Sequence, residues 1–462
     1  MDQDYYRDLT RYQFEGKRLI LSGAPLAAFT TALASFRELG ATDFFILASG
    51  IGSGDLPSED EAGWIVMDTA SDSMMGSFRI MERELHNPSP EIVQRLDEWD
   101  PDRSAVMLSS PFFYQESIAG RRVYGWRRRE WLDLEDKVVA DEIWDASAVD
   151  RAPSEVVPVD HEAIRKSVRS LDRGHGAVLA GDAREGFNGG AEYIRWVNRD
   201  DDLTDPLEFY GLHCDRVRVM PFLEGIPCSI HGYVFPEAVA VLRPCELITL
   251  RRTDRTLKYC GAASYWDPDD RDRRAMRAAA RRVGEHLRHR VDYRGAFTID
   301  GVMTGSEGFL PTELNTRPGA ALGTLVSGLP RLSLGAINRA LIEGEDLDYR
   351  PLDFENLIIA TADDHRGGGG WTVVDQPADT NRAERVARSP AGSLKVAAQD
   401  DEAVASLNFG PGEQGGFLRF TPVADHTPSG PSAAPLVVEG FRLADELWEV
   451  GLGDLTPAPS VR

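Results

Sequence analysis

Three polar residues alternate along Phe309-Leu-Pro-Thr-Glu-Leu-Asn-Thr-Arg-Pro-Gly319: Glu313, Asn315 and Arg317. Strand side chains alternate between faces, so these three project to one side and Thr312, Leu314 and Thr316 to the other. Thirteen residues before Glu313, Asp300 ends the run Phe297-Thr-Ile-Asp300, and a Gly/Ser turn lies between the two runs. In a hairpin closed by that turn, Asp300 and Glu313 come near each other on one face. Two adjacent carboxylates repel unless something positive lies between them. With the amide oxygen of Asn315 they form a hard-oxygen set suited to Mg²⁺, an ion that keeps several waters and shares its shell with substrate phosphates. Arg317 then lies one step beyond the metal, within reach of a phosphate or a developing oxyanion. The plainer alternative is a polar face on a solvated hairpin.

The elements around this hairpin are readable. Arg18-Leu-Ile-Leu-Ser22 and Asp43-Phe-Phe-Ile-Leu-Ala48 read as strands flanking a helical stretch that ends at Leu39-Gly40, a βαβ unit of a parallel sheet. The turn Ser49-Gly-Ile-Gly-Ser-Gly-Asp55 departs from G-x-G-x-x-G and reads as a loop at the sheet's carboxyl edge, where it can shape a cleft. A helix is expected from about Glu135 to Asp145, then a short strand ending near Asp160. Gly176 to Val197 has a hairpin pattern around Gly186, Gly189 and Gly190. Asp215 to Phe235 gives a strand, a Pro-bearing bend and another strand. From about Asp269 to Val291, Met276, Ala280, Val283, Leu287 and Val291 form the apolar stripe of a helix whose other face carries arginines. Asp363 to Gly370 reads as a loop. The remaining residues mix short strands with Gly/Pro turns and end in a helix from about Ala434 to Val450.

A length of 462 residues suggests roughly three domains. The net charge of -24 argues against nucleic acid or a membrane surface as main partner. No run approaches ~20 apolar residues, and the opening Met1-Asp2-Gln3-Asp4 lacks a signal peptide's layout, so a cytoplasmic protein is expected. Cys214, Cys228, Cys245 and Cys260 form no C-x-x-C pair and read as reduced core thiols rather than a zinc site. Only five lysines occur, at 17, 137, 166, 258 and 395, which makes any lysine in a functional context noticeable.

At the E-x-N-x-R strand and its acidic partner the chain resembles the ATP-grasp superfamily of carboxylate–amine ligases. More narrowly, GDAREGFNGG, FLPTELNTRPGA and GPSAAPL are similar to ATP-grasp peptide ligases of the pheganomycin type, enzymes of secondary-metabolite biosynthesis. The resemblance implies an α/β (α+β) chain: an N-terminal parallel-sheet domain at 1–130, an ATP-grasp domain at 131–345 and a small mixed C-terminal α+β domain at 346–462. The lid would span about 150–220 and the metal-binding part about 221–345. Asp300, Glu313 and Asn315 take the metal-ligand places, with Glu313 bridging two Mg²⁺ ions, for which Mn²⁺ can substitute. Arg317 takes the place near the γ-phosphate, and Arg243 that of a second phosphate- or substrate-binding arginine. Lys137 matches the lysine that reaches the phosphates of ATP. The loop REGFNGGAEY, with Gly186, Gly189 and Gly190, matches the phosphate-covering loop, whose N–H groups approach anionic oxygens because no Cβ intrudes. Pro221, Phe222 and Leu223 would receive adenine, and Glu224 the ribose or adenine. His231, near that strand, is a candidate to line the cleft. The lysine expected on the strand before the glycine loop is missing from AVLAGDARE, and Arg184 is the candidate substitute.

The implied reaction joins a small-molecule carboxylate to an amine, amino acids or peptides, through an acylphosphate, in a chain that can form a homodimer. A small-molecule kinase on the same scaffold, and a nucleotide-binding module without catalysis, remain open alternatives.

Overall fold

The computed structural model describes residues 2–71, 73–186, 189–198, 203–412 and 414–459. Its first layer follows from the two apolar runs near the N-terminus. Arg18–Ser22 lies between Asp43–Ala48 and Val106–Leu108, and Gly63–Val66 completes a four-stranded parallel sheet. Leu19, Leu21, Phe44 and Ile46 pack against the helix Leu26–Glu38. Ile20, Phe45 and Leu47 face the other way, onto Met74–His86 and Pro90–Trp99. Burial on both faces is why these strands read as continuous apolar runs rather than alternating ones.

The second layer is a four-stranded antiparallel sheet in the spatial order Glu155–Pro158, Arg216–Pro221, Ala177–Gly181, Ile194–Val197. The helices His161–Leu171 and Thr204–His213 back it. The expected hairpin around the glycine loop is its last strand pair.

The third layer carries the hairpin from which the chemistry was read. Gly308–Asn315 pairs with Gly295–Thr304, which pairs with Gly225–Val234. The helix Asp270–Arg290 buries Met276, Val283 and Leu287 against this sheet. The sheet then runs on through Cys245–Arg252 and Leu257–Ala263 into Gly368–Val374, Gly415–Pro422, Ala405–Gly412, Arg382–Arg388 and Leu394–Val396. The C-terminal strands therefore extend the central sheet, and Ala434–Trp448 packs over the extension.

Two local expectations fail for physical reasons. The glycine run expected as a loop opens the strand Gly368–Val374. It is a strand because only glycine fits there: a Cβ on Gly369 would lie 2.4 Å from the Phe420 carbonyl oxygen and one on Gly370 2.2 Å from Val437 Cγ1. The helix expected from Glu135 is a short 3₁₀ turn, Asp133–Glu135, then a break, then Ala140–Ala146. Glu135 and Lys137 lie outside the regular helix because both side chains are drawn into the interior toward charged partners.

The four cysteines are separate buried thiols. No described helix is long and apolar enough to cross a membrane.

Candidate active site

The hairpin sets the geometry. Asp300 and Glu313 are direct cross-strand partners, as are Thr298 and Asn315. A bulge between Asp300 and Gly301 leaves Thr312 as the extra residue, so Glu313 pairs with Asp300 while Pro311 pairs with Gly301. Asn315 donates from Nδ2 to Asp300 Oδ2 at 3.0 Å and accepts at Oδ1 from Arg317 Nη2 at 2.8 Å. Carboxylate, amide and guanidinium thus form one chain of contacts. The Arg317 guanidinium also lies 4.3 Å over the Phe112 ring and donates from Nε to Glu135 Oε2 at 3.2 Å.

Asp300 opens partly onto a cavity yet is enclosed by protein. Burial first, and repulsion from Glu313 second, push its carboxyl up to about 7 against the pull of Arg317 and Lys137 and the hydrogen bond from Asn315. Lys137, only 6% exposed, donates to Glu313 Oε1 at 3.2 Å and supplies one positive charge to the pair. Glu135 behaves oppositely. Burial raises its carboxyl, but Arg127 and Arg317, with hydrogen bonds from Arg127 and Thr316, outweigh burial and hold it below the usual range. It stays ionised and fixes both arginines. A half-buried carboxylate pair next to an amide, held together by an ammonium, is a donor set that fits a hard divalent cation. Asp300, Glu313 and Asn315 are the residues that would hold Mg²⁺. Asn315's oxygen faces Arg317 here, so the amide must turn over to offer that oxygen beside Asp300.

A cavity of about 470 Å³ joins this group to the four-stranded antiparallel sheet. Lys137, Asp300, Glu313, Asn315 and Arg317 line one end, and Pro221, Phe222, Leu223 and Val178 line another part. Gly189 and Gly190 form part of the wall, and a Cβ on Gly189 would lie 3.2 Å from Met75 Sδ. Gly186 is at a turn with φ +99° and is not part of the wall; Phe187 and Asn188 of the same loop lie outside the described residues. An open trough of about 1170 Å³ along Asp270–Arg290 is larger, but none of the hairpin residues lines it.

Solved structures share this fold. Biotin carboxylase from Campylobacter jejuni is 14% identical with a TM-score of 0.56, over 96% of this chain and 93% of that one. Carboxyaminoimidazole ribonucleotide synthase from Aspergillus clavatus, complexed with ATP, is 12% identical with a TM-score of 0.53, over 93% and 98%. The biotin carboxylase domain of Hydrogenobacter thermophilus 2-oxoglutarate carboxylase, with MgADP and bicarbonate, is 12% identical with a TM-score of 0.50, over 96% and 91%. No family model and no curated protein matches the chain. The fold is the ATP-grasp fold.

Within the ATP-grasp fold, three further expected site residues stand away from the cavity, as Gly186 does. Arg184 donates to the carbonyl oxygens of Cys214 and Leu212 and to Asp215 Oδ1, pinning the end of the helix Thr204–His213. Arg243, 1% exposed, pairs with Asp267 and with Asp363, the latter at 2.7 Å, in a network shared with Arg273 and Arg366. Its charge is spent inside the fold, so it is a scaffold arginine. Glu224 accepts two hydrogen bonds from Arg251, at 3.2 and 3.1 Å, and it is Arg251 that lines the cavity, 5.0 Å over the Phe222 ring.

Three cavity residues escaped the sequence reading or were left undecided by it. Arg218 is the cross-strand partner of Ala180, on the strand that lacks the expected lysine. It is 1% exposed, donates to Asp141 Oδ1 at 2.6 Å and to the Thr312 carbonyl at 3.1 Å, and keeps Nε without a partner. Tyr259 reaches the same cavity with a hydroxyl that has no partner among the described residues. His231 lines it as well, between the hydroxyls of Ser229 at 3.0 Å and Thr298 at 2.8 Å; burial pushes its imidazole down to about 3. An uncharged ring with two hydroxyl partners orients neighbours and does not transfer protons near neutrality.

Proposed function

We propose that this chain is an ATP-dependent ligase that joins a small-molecule carboxylate, an amino acid or peptide, to an amine. One observation carries the reading: the Asp300–Glu313 pair, Asn315, Arg317 and Lys137 all line a cavity whose other walls are the glycine loop and the apolar bend Pro221–Phe222–Leu223. The bend offers backbone and apolar contacts suited to a nucleobase. The charged end suits its phosphates. The resemblance to pheganomycin-type ligases supports peptides as substrates.

In this reading a carboxylate oxygen attacks the γ-phosphorus of ATP, ADP departs, and the acylphosphate is attacked at its acyl carbon by an amine that expels phosphate. Arg317, rigid on Phe112 and Glu135, meets the transferring phosphoryl group; Lys137 and Arg218 hold the neighbouring phosphates. Gly189 and Gly190 bring backbone N–H groups close to the anion. Magnesium, bound by Asp300, Glu313 and Asn315, would neutralise phosphate charge. The rest is positioning.

The test is release of ADP and phosphate from Mg-ATP against pooled amino acids and short peptides, with products read by mass. Equal ADP and phosphate plus a mass of acid plus amine minus water supports the ligase. A phosphorylated product without free phosphate would establish the kinase instead, and ATP binding without turnover the binding module.

A further inference from the structure

A second, smaller pocket of about 70 Å³ lies on the other side of the Arg127–Thr316 contact, between the parallel sheet and the helix Leu334–Glu343. Its wall contains two arginines. Arg127, 3% exposed, uses its terminal nitrogens on Glu135, Thr316 and the Pro111 carbonyl, but its Nε is buried without a partner. Arg339 is more unusual. It makes no ion pair or hydrogen bond among the described residues, its Nε is buried and unpartnered, and the nearest aromatic face, Phe14, is 5.7 Å away. Burial pulls its guanidinium down to about 10. Gly125, with φ +73°, packs against its stem; a Cβ there would lie 2.4 Å from Arg339 Cγ. The chain thus makes room for a guanidinium that no carboxylate among the described residues meets.

Around the two arginines stand Ser109 and Ser110, on the loop after Val106–Leu108, and Asn338. Asn338 Oδ1 accepts from the Ala296 N–H at 2.7 Å, which turns its amide N–H₂ away from that bond. Gln115 adds one acceptor, its unpartnered Oε1. A guanidinium enclosed by protein is costly unless an opposite charge meets it. A space admitting a few waters also admits one oxyanion. Arg127 and Pro318 both line this wall; Arg127 donates to Thr316 and Pro318 follows Arg317 in the chain, so a group held here is anchored beside Arg317.

We propose that this pocket is an oxyanion subsite that holds a carboxylate or phosphate group of the second substrate, with Arg339 and Arg127 as its cations. That the bound group belongs to a second substrate rests on the ligase reading; the subsite itself does not.

The test is thermal unfolding of the full chain without ATP or Mg²⁺, at constant ionic strength, titrated with inorganic phosphate and separately with acetate against chloride. Wild type, Lys137→Met, Arg339→Met and Arg339→Lys are compared. Wild type should gain roughly 2 °C at an anion concentration well above the dissociation constant, with at least one of the two anions. Lys137→Met, which removes a cation of the large cavity, should keep that gain. Arg339→Met should lose it, and in chloride should melt no lower than wild type, because an uncompensated charge is gone. Arg339→Lys, keeping charge but losing the planar fork, should need roughly fivefold more anion for half the shift. A gain with phosphate alone assigns a phosphorylated substrate, and a gain with acetate a carboxylate one. No gain with either anion, a gain that survives in Arg339→Met, or wild-type behaviour of Arg339→Lys overturns the proposal. Because no ATP is present, failure of the ligase reading leaves this result untouched.

Discussion

Lys137 Nζ lies 3.2 Å from Glu313 Oε1, beside the carboxyl of Asp300. The ammonium therefore holds the place of a cation at the carboxylate pair, and a divalent ion must compete with it. Lys137→Met should have two opposite effects. Turnover should fall by ~10²-fold, about the loss of one strong phosphate contact. The Mg²⁺ concentration giving half the thermal shift without nucleotide should fall too, because the competitor is gone. Glu313→Gln should instead lose both turnover and the Mg²⁺ shift. A Lys137→Met protein with wild-type turnover would remove Lys137 from the site.

The hairpin was legible because its information is local. Alternation in the sequence puts Glu313 and Asn315 in step, and a short Gly/Ser turn brings Asp300 near them; the bulge at Thr312, which no local pattern announces, then pairs Asp300 directly with Glu313. The arginines were not legible, because a motif gives a position along the chain but not the direction of a long side chain. Arg184 sits where a substitute lysine would be sought, yet the end of a neighbouring helix captures it. Arg218 is 38 residues past Ala180 and meets it only through strand pairing, which no local pattern announces. The glycine run at 367–370 misled for a related reason: its demand for bare backbone comes from Phe420 and Val437, far along the chain.

Arg218 and Arg184 separate in a paired experiment. Arg218→Met leaves Asp141 with Arg151 at 3.6 Å, so the fold keeps a partner for that acid. The variant should raise the KM for ATP ~10- to 100-fold, the ~1.5–3 kcal/mol of a hydrogen bond to a charged group. Arg184→Met should stay within ~2-fold of wild type, as for a substitution outside the site. The reverse order, a large effect at 184 and none at 218, would return the phosphate clamp to the glycine-loop side.

Arg243 should register in stability and not in ATP affinity. It is buried between Asp267 and Asp363, which Arg273 and Arg366 only partly neutralise once it is gone. Breaking such a pair costs ~3 kcal/mol or more, read as a lower urea midpoint for Arg243→Met at unchanged m-value. The folded fraction should keep its KM for ATP. A raised KM with no loss of stability would mean that the side chain reaches substrate after all.

His231 gives the pH dependence its sign. Burial pulls its imidazole from 6.5 down to about 3, so the unfolded chain binds a proton over that interval which the folded chain does not. Stability from this group is complete above 6.5 and drains as pH falls toward 3, at ~1.4 kcal/mol per pH unit. His231→Gln removes the titration but keeps a side chain able to reach the hydroxyls of Ser229 and Thr298. Melting temperatures of the two proteins should run parallel above pH 7 and converge or cross as pH falls to 5, wild type dropping faster. Turnover against pH should show no inflection that is lost in His231→Gln, because the ring is neutral in both arms of the profile. A difference in melting temperature that stays constant from pH 7.5 to 4.5 would show that the ring is already charged, or already exposed, in the folded protein. The Ser229–His231–Thr298 contacts behind Asn315 would then need a different protonation account.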